Sequence, residues 1–167
     1  MGHPLLLEKS HEVKEFSTKE LQHLIRDLRD TMRAEEGAGI AAPQIGVLRR
    51  VVIFGVSKDN PRYPGRGEVP DTVLINPVIT ALDDEMDDGW EGCLSVPGMR
   101  GLVPRYKRVS YRGFDEHGEL VERTVEGFHA RVVQHECDHL DGILYPMKVQ
   151  DMRQFGFKEE LKDKIGC

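Results

Sequence analysis

Residues 127–140 read GFHARVVQHECDHL, and the architecture of the chain turns on them. The pattern predicts a helix beginning near Gly127. At 100° per residue, Phe128, Val132, His135 and His139 fall within about 60° of one another, so the two histidines continue an apolar stripe. A second stripe of Ala130, Val133, Cys137 and Leu140 lies nearly opposite, leaving Arg131, Gln134, Asp138 and Asp141 on the remaining arc. A helix with apolar residues on two sides is packed on both, which puts it at the centre of a domain.

Within this helix, residues 135–139 match HExxH. Positions four apart share a face, so both imidazoles can reach one metal ion while Glu136 stays beside the open coordination position. In a chain with seven histidines the pattern arises by chance on the order of a few per cent of the time, and buried histidines bonded to backbone are the plainer alternative. Two histidines leave a catalytic site one protein ligand short, since such sites commonly use three plus water. The candidates are Cys93, Cys137, Cys167 and the acids. Cys137 points away from the histidine face, Cys167 is the last residue, and Cys93 lies in EGCLS (residues 91–95), where an irregular strand end could present a thiolate. An isolated cysteine is more often a buried hydrophobe.

Working outward, Ser17 and Glu20 form a capping-box signal, and Leu21, Leu24, Ile25, Leu28 and Met32 recur at helical spacing, predicting an amphipathic helix over 18–34. Residues 37–46, GAGIAAPQIG, read as a loop leading into a strand at 51–54. A proline-rich surface loop is predicted over 60–70, then strand-like stretches at 73–75 and 78–79 around Pro77. Five acids within 83–88 read as a solvated edge, because no glycine-framed calcium loop surrounds them. Strands at 108–114 and 120–125 flank a turn as a hairpin, and a short charged helix is predicted over 152–164. The expected fold is α+β: mixed or antiparallel strands around a central HExxH-bearing helix, with an N-terminal amphipathic helix and a short C-terminal one. A single domain over 1–167 is the economical reading.

The chain is 39% hydrophobic and 31% charged, with no apolar run near the ~18 residues a membrane helix requires. Lys and Arg total 23 against 29 Asp and Glu, a net charge of −6 with no basic block, which argues against direct nucleic-acid binding. Three widely spaced cysteines do not make a secreted disulfide framework, so a reducing, cytoplasmic compartment is expected.

Taken together, GAGIAAPQ (37–44), EGCLS (91–95) and QHECDH (134–139) resemble the three signature blocks of peptide deformylases, in the same order and at similar separations. The resemblance extends over the early helix and the intervening strands. It implies that Cys93, His135 and His139 bind one divalent metal, usually Fe2+, a donor set that Zn2+, Ni2+ or Co2+ would also suit. It implies further that the metal acidifies a bound water whose proton Glu136 takes, and that this water attacks the formyl carbon of an N-formylmethionyl nascent polypeptide. Gln44 and the backbone N–H of Leu94 are then the donors to the developing oxyanion, a role whose loss typically costs about 2.7–4 kcal/mol. The methionine side chain is expected among Phe128 and Val132, and the substrate backbone beside Gly39 and Gly89, where glycine permits close approach. Arg100 and Glu91 match positions that hold the peptide and the site. Nascent chains as substrate imply proximity to the ribosome.

Ala38 stands where the family usually has Val or Ile, which would widen the cleft beside the substrate backbone, and Cys137 fills a position where an apolar residue is commoner. Two rival readings are an HExxH zinc peptidase and a structural Cys/His metal module. The first leaves GAGIAAPQ and EGCLS unexplained, and the second has no use for Glu136.

Overall fold

The computed structural model describes residues 1–58, 63 and 65–165. Part of the loop expected over 60–70 lies outside these residues, as does Cys167. Helix α1 (Lys19–Ala34) is capped by Thr18, whose hydroxyl accepts a hydrogen bond from the Leu21 N–H at 3.2 Å. Ser17, the expected cap, instead has φ 57° and donates its N–H to Glu116. The buried face of α1, Leu21, Ile25 and Leu28, packs on Ile40, Val51, Ile53, Val73 and Ile75.

Eight strands form two antiparallel sheets among the described residues. Strands β1 (Gly39–Ala41), β2 (Val51–Val56), β3 (Val69–Ala81), β6 (Arg108–Phe114) and β7 (Leu120–Glu126) lie in the order β1-β2-β3-β6-β7. Strands β4 (Met86–Cys93), β5 (Val96–Tyr106) and β8 (Phe155–Phe157) form the second sheet in the order β4-β5-β8. The α+β class with antiparallel strands holds; β4 and β5 have no counterpart in the sequence reading, and four further details differ from it.

First, residues 37–46 are not all loop. Gly39, Ile40 and Ala41 pair with Phe54, Ile53 and Val52, and a 3-10 turn (Ala42–Ile45) follows. All three β1 residues are buried, so the alternation that marks a half-exposed strand is missing. Second, the stretches around Pro77 are one strand with an irregularity. The register shifts between Ile75 and Val78, Asn76 has φ 50°, and its side-chain amide bonds the Val13 backbone at 2.9 and 2.8 Å. Proline, which lacks an N–H, is accommodated where the ladder is already broken.

Third, the segment expected as a C-terminal helix is broken up. It runs through a 3-10 turn (Met152–Gln154), β8, a second 3-10 turn (Lys158–Leu161) and only then α3 (Lys162–Ile165). Met99, Arg100 and Gly101 of β5 pair with Phe157, Gly156 and Phe155, and this tertiary pairing overrides the helical tendency of the charged residues.

Fourth, α2 (Gly127–Leu140) is enclosed on more sides than its two apolar stripes suggest. Ala130, Val132, Val133, Cys137 and Leu140 join the core of the first sheet with Val52, Phe54, Leu74 and Tyr111. Arg131 and Gln134, expected on a polar arc, are also buried. Gln134 Nε2 donates to the Tyr106 carbonyl at 2.9 Å and its Oε1 accepts the Tyr106 N–H at 3.1 Å, with Nε2 also donating to the Ala130 carbonyl, so α2 is fastened to the end of β5 by polar contacts. Among the described residues no helix is long and apolar enough to cross a membrane.

Candidate metal centre and active site

Cys93 is the last residue of β4. A register irregularity between Glu91 and Cys93 precedes the turn through Leu94 and Ser95, and this turns the thiol toward α2. There it meets His135 and His139: one ligand atom from each of the three lies within 4.8 Å of the other two. Cys93 Sγ is 3.3 Å from His139 Nε2. Cys137 sits apart in the core, where burial pushes its thiol pKa upward.

The orientation of His135 is fixed from behind. Its Nδ1 lies 2.8 Å from Glu91 Oε2, so Nδ1 donates to that carboxylate and Nε2 is the nitrogen left to face a metal. Arg105 holds Glu91 by two parallel bonds, Nε to Oε1 and Nη2 to Oε2, each 2.9 Å, and Arg131 Nη1 donates to Oε1 at 2.9 Å. Each carboxylate oxygen thus has two partners, which is its full capacity. Burial alone would raise the Glu91 pKa, but the hydrogen bonds from Arg105 and His135 outweigh it and hold the carboxyl well below the usual range. Glu91 therefore supports the site and has no acceptor left for a peptide, which corrects its expected place among the substrate contacts.

Glu136 follows His135 on the helix and is buried, with Oε2 unpartnered. Burial pushes its carboxyl pKa up to about 7 against the opposing charge of His135. It fits only because β1 passes it with a glycine: a methyl group at Gly39 would stand 2.6 Å from Glu136 Oε1. Gly89 makes room in a similar way for the Arg131 guanidinium, at 2.6 Å, and Gly92 for that of Arg100. All three glycines thus make room for side chains of this chain.

Gln44 reaches the thiol from the other side. Its Oε1 accepts the Ala41 N–H at 2.8 Å, which turns Nε2 toward Cys93 Sγ at 3.5 Å and Ser95 Oγ at 3.1 Å. Leu94 occupies the turn directly after Cys93. Phe128 stands half-buried at the near end of α2 with its ring against Tyr63 and under Arg66, whereas Val132 is seated in the core. Ala38 packs on the same core and accepts the Gly55 N–H. Arg100 is half-buried, with Nη1 donating to the Met99 carbonyl at 2.8 Å.

The cluster suits a cation. A thiol and two imidazoles form a recognised donor set for a divalent transition metal. Burial would depress the pKa of His135, yet hydrogen bonds to Cys93 and Glu91 and the nearby carboxylates raise it well above the usual value, so the surroundings favour positive charge there. His139 is pushed well down by burial, which keeps its ring neutral and able to coordinate.

The family model described as Polypeptide deformylase matches residues 1–155. The chain belongs to the peptide deformylase family. It is 60% identical over 161 residues to peptide deformylase 1 of Nitrosomonas europaea, covering 96% of this chain and 91% of that protein. It is 62% identical over 161 residues to peptide deformylase 2 of Ralstonia nicotianae, covering 96% and 90%. A crystal structure of class I type b peptide deformylase from Acinetobacter baumannii bound to Met-Ala-Ser superposes with a TM-score of 0.84 at 41% identity, covering 89% of this chain and 94% of that one. The activity follows from the family: hydrolytic removal of the formyl group from N-formylmethionyl peptides, by a metal-dependent enzyme.

Sequence reasoning named most of the residues that meet here and missed Arg105, Arg131, Ser95 and Tyr145. Tyr145 stacks on His135 with ring centroids 6.1 Å apart and is almost fully buried. None of the four carries a spacing signal of its own. The closing of β4 and β5 against α2, and the packing of Tyr145 from the 3-10 turn Tyr145–Lys148 on Val96 and Val103 of β5, bring them to the centre.

Proposed function

We propose that the whole chain is one catalytic domain in which Cys93, His135 and His139 hold a single divalent ion, Fe2+ in the cell, with Zn2+, Ni2+ or Co2+ as competent substitutes. The observation that carries this reading is the convergence of the three donor atoms within 4.8 Å, with the buried Glu136, its Oε2 unpartnered, directly after His135 on the helix. When bound, the metal supplies Lewis acidity at the formyl group and to the attacking water. Glu136 accepts the proton of that water on its carboxylate and later returns it to the leaving methionine nitrogen.

Gln44 Nε2 and the Leu94 N–H donate to the carbonyl oxygen as it gains charge. The bond from Ala41 fixes the Gln44 amide before substrate arrives, so little reorganisation is needed during reaction. Strand β1 is at the edge of its sheet, which leaves it able to pair with an extended peptide near Gly39, whereas on β4 the Asp87 and Gly89 carbonyls are already taken by Arg131, which corrects the expected place of Gly89 beside the substrate backbone. Phe128 then borders the pocket for the methionine side chain, with Val132 forming its floor from within the core, and Ala38 and Arg100 flank the peptide. The Met-Ala-Ser bound to the Acinetobacter relative has the form of a deformylated product and supports a peptide with an N-terminal methionine as the class of ligand. The unpaired thiols of Cys93 and Cys137 fit a reducing cytoplasm, and substrates presented as nascent chains fit a place of work near the ribosome.

Removal of metal with a chelator under anaerobic conditions is expected to abolish formate release, and stoichiometric Fe2+ to restore it. Activity that survives complete chelation would overturn the metal reading. Replacement of Gln44 by Ala should lower kcat by about 10²–10³-fold while leaving bound metal unchanged, measured on the same samples. A loss confined to KM would remove Gln44 from the transition state.

A further inference from the structure

We propose that Arg131 is a positioning residue for the metal centre, setting the distance between the helix that carries His135 and His139 and the strand that carries Cys93. The inference rests on the metal-centre reading above. Arg131 lies one turn before His135 on α2, yet its guanidinium is almost wholly engaged by the second sheet. Nη2 donates to the Asp87 carbonyl at 2.6 Å, while Nη1 contacts the Gly89 carbonyl at 3.5 Å, Glu91 Oε1 at 2.9 Å and the Val103 carbonyl at 2.8 Å. The side chain therefore grips β4 at residues 87, 89 and 91, alternate positions that end two residues before Cys93, and also takes hold of β5.

Arg105 cannot do the same work. It binds Glu91 too, but it belongs to β5 of the same hairpin, and its reach to α2 is to Asp138, beyond His135. Among the described residues, Arg131 alone connects the start of α2 to the strand leading into Cys93 by bonds to main chain, which cannot rotate away as a side chain can. The strand is shaped for it, since any side chain at Gly89 would collide with the guanidinium. Lysine would keep the charge beside Glu91, but its single rotatable ammonium lacks the planar fork that spans several carbonyls at once.

The test uses Co2+ as probe in the full chain, with affinity from competition against a chromophoric chelator and geometry from the visible and thiolate charge-transfer bands. Arg131→Lys and Arg131→Met are expected to weaken Co2+ binding in that order, reaching the about 10–100-fold typical of lost supporting contacts, and to shift the bands. Gly89→Ala, which displaces the guanidinium without removing it, should shift the bands in the same direction. If Arg131→Met does not fold, the Lys and Gly89 variants decide. A purely structural role would lower Tm and leave cobalt affinity and spectrum at the parent's values, and that result in Arg131→Lys overturns the proposal. A parent protein that binds no Co2+ would instead overturn the metal centre itself, so the two failures are distinct.

Discussion

Replacing Glu136 by Gln is expected to leave the fold and the bound metal intact and to lower turnover of formylmethionyl peptides by at least about 10²–10⁴-fold. The amide is nearly isosteric, so it should fit beside Gly39, where the carboxylate already lies too close for any Cβ. What it loses is the capacity to take a proton from water and return it to the leaving nitrogen. Because Glu136 is buried and Oε2 has no partner to lose, the substitution should not destabilise the protein, and removing a buried ionisable group could raise Tm. Metal content by elemental analysis, Tm and kcat on one preparation check all three. Near-normal kcat would show that Glu136 is not the proton carrier.

Cys93→Ala should lose metal and activity together, with a residual rate indistinguishable from that of the chelated parent. Two imidazoles remain, but the site is then a ligand short of the three that catalytic centres commonly use. Cys137→Ala is the control. That thiol packs with Ala130, Val133 and Leu140 on the opposite side of α2, so its removal should cost about 1 kcal/mol of stability and leave metal and kcat unchanged. The reverse outcome, with metal lost from Cys137→Ala and kept by Cys93→Ala, would contradict the site outright.

The difference between those two cysteines was legible in the sequence because helical geometry fixes it: Cys137 lies about 180° from the histidine pair around α2. The same geometry brought Phe128 and Val132 onto the histidine face, though it could not say that one is at the rim and the other in the core. Arg131 and Gln134 show where such reasoning stops. Their polarity reads as exposure, yet both are buried because β5 brings carbonyls and an N–H against the helix. Periodicity on one element carries no information about unpaired groups on another.

The hairpin of β4 and β5 was hidden for a related reason. Residues 86–91 hold three acids and a glycine, and their low strand propensity masks a strand stabilised by pairing with β5 and by Arg131. Glu91 was recognised as belonging to the site, but its bonding could not be read, since Arg105 and His135 lie 14 and 44 positions away in the chain. Likewise β8 exists through its register with β5, which short-range signals over 152–164 do not contain. The signature blocks place the chemistry, and the contacts that aim it come from tertiary pairing.

The most direct measurement is formate release by anaerobically prepared, Fe2+-loaded protein from a formyl-Met peptide, set beside acetate release from the matching acetyl-Met peptide with metal quantified on the same sample. Rapid formate release that scales with bound metal is predicted, with the acetylated peptide nearly untouched because its extra methyl crowds the space between the metal and Gln44. No formate from fully metallated, reduced protein, or equal hydrolysis of both peptides, would contradict the account.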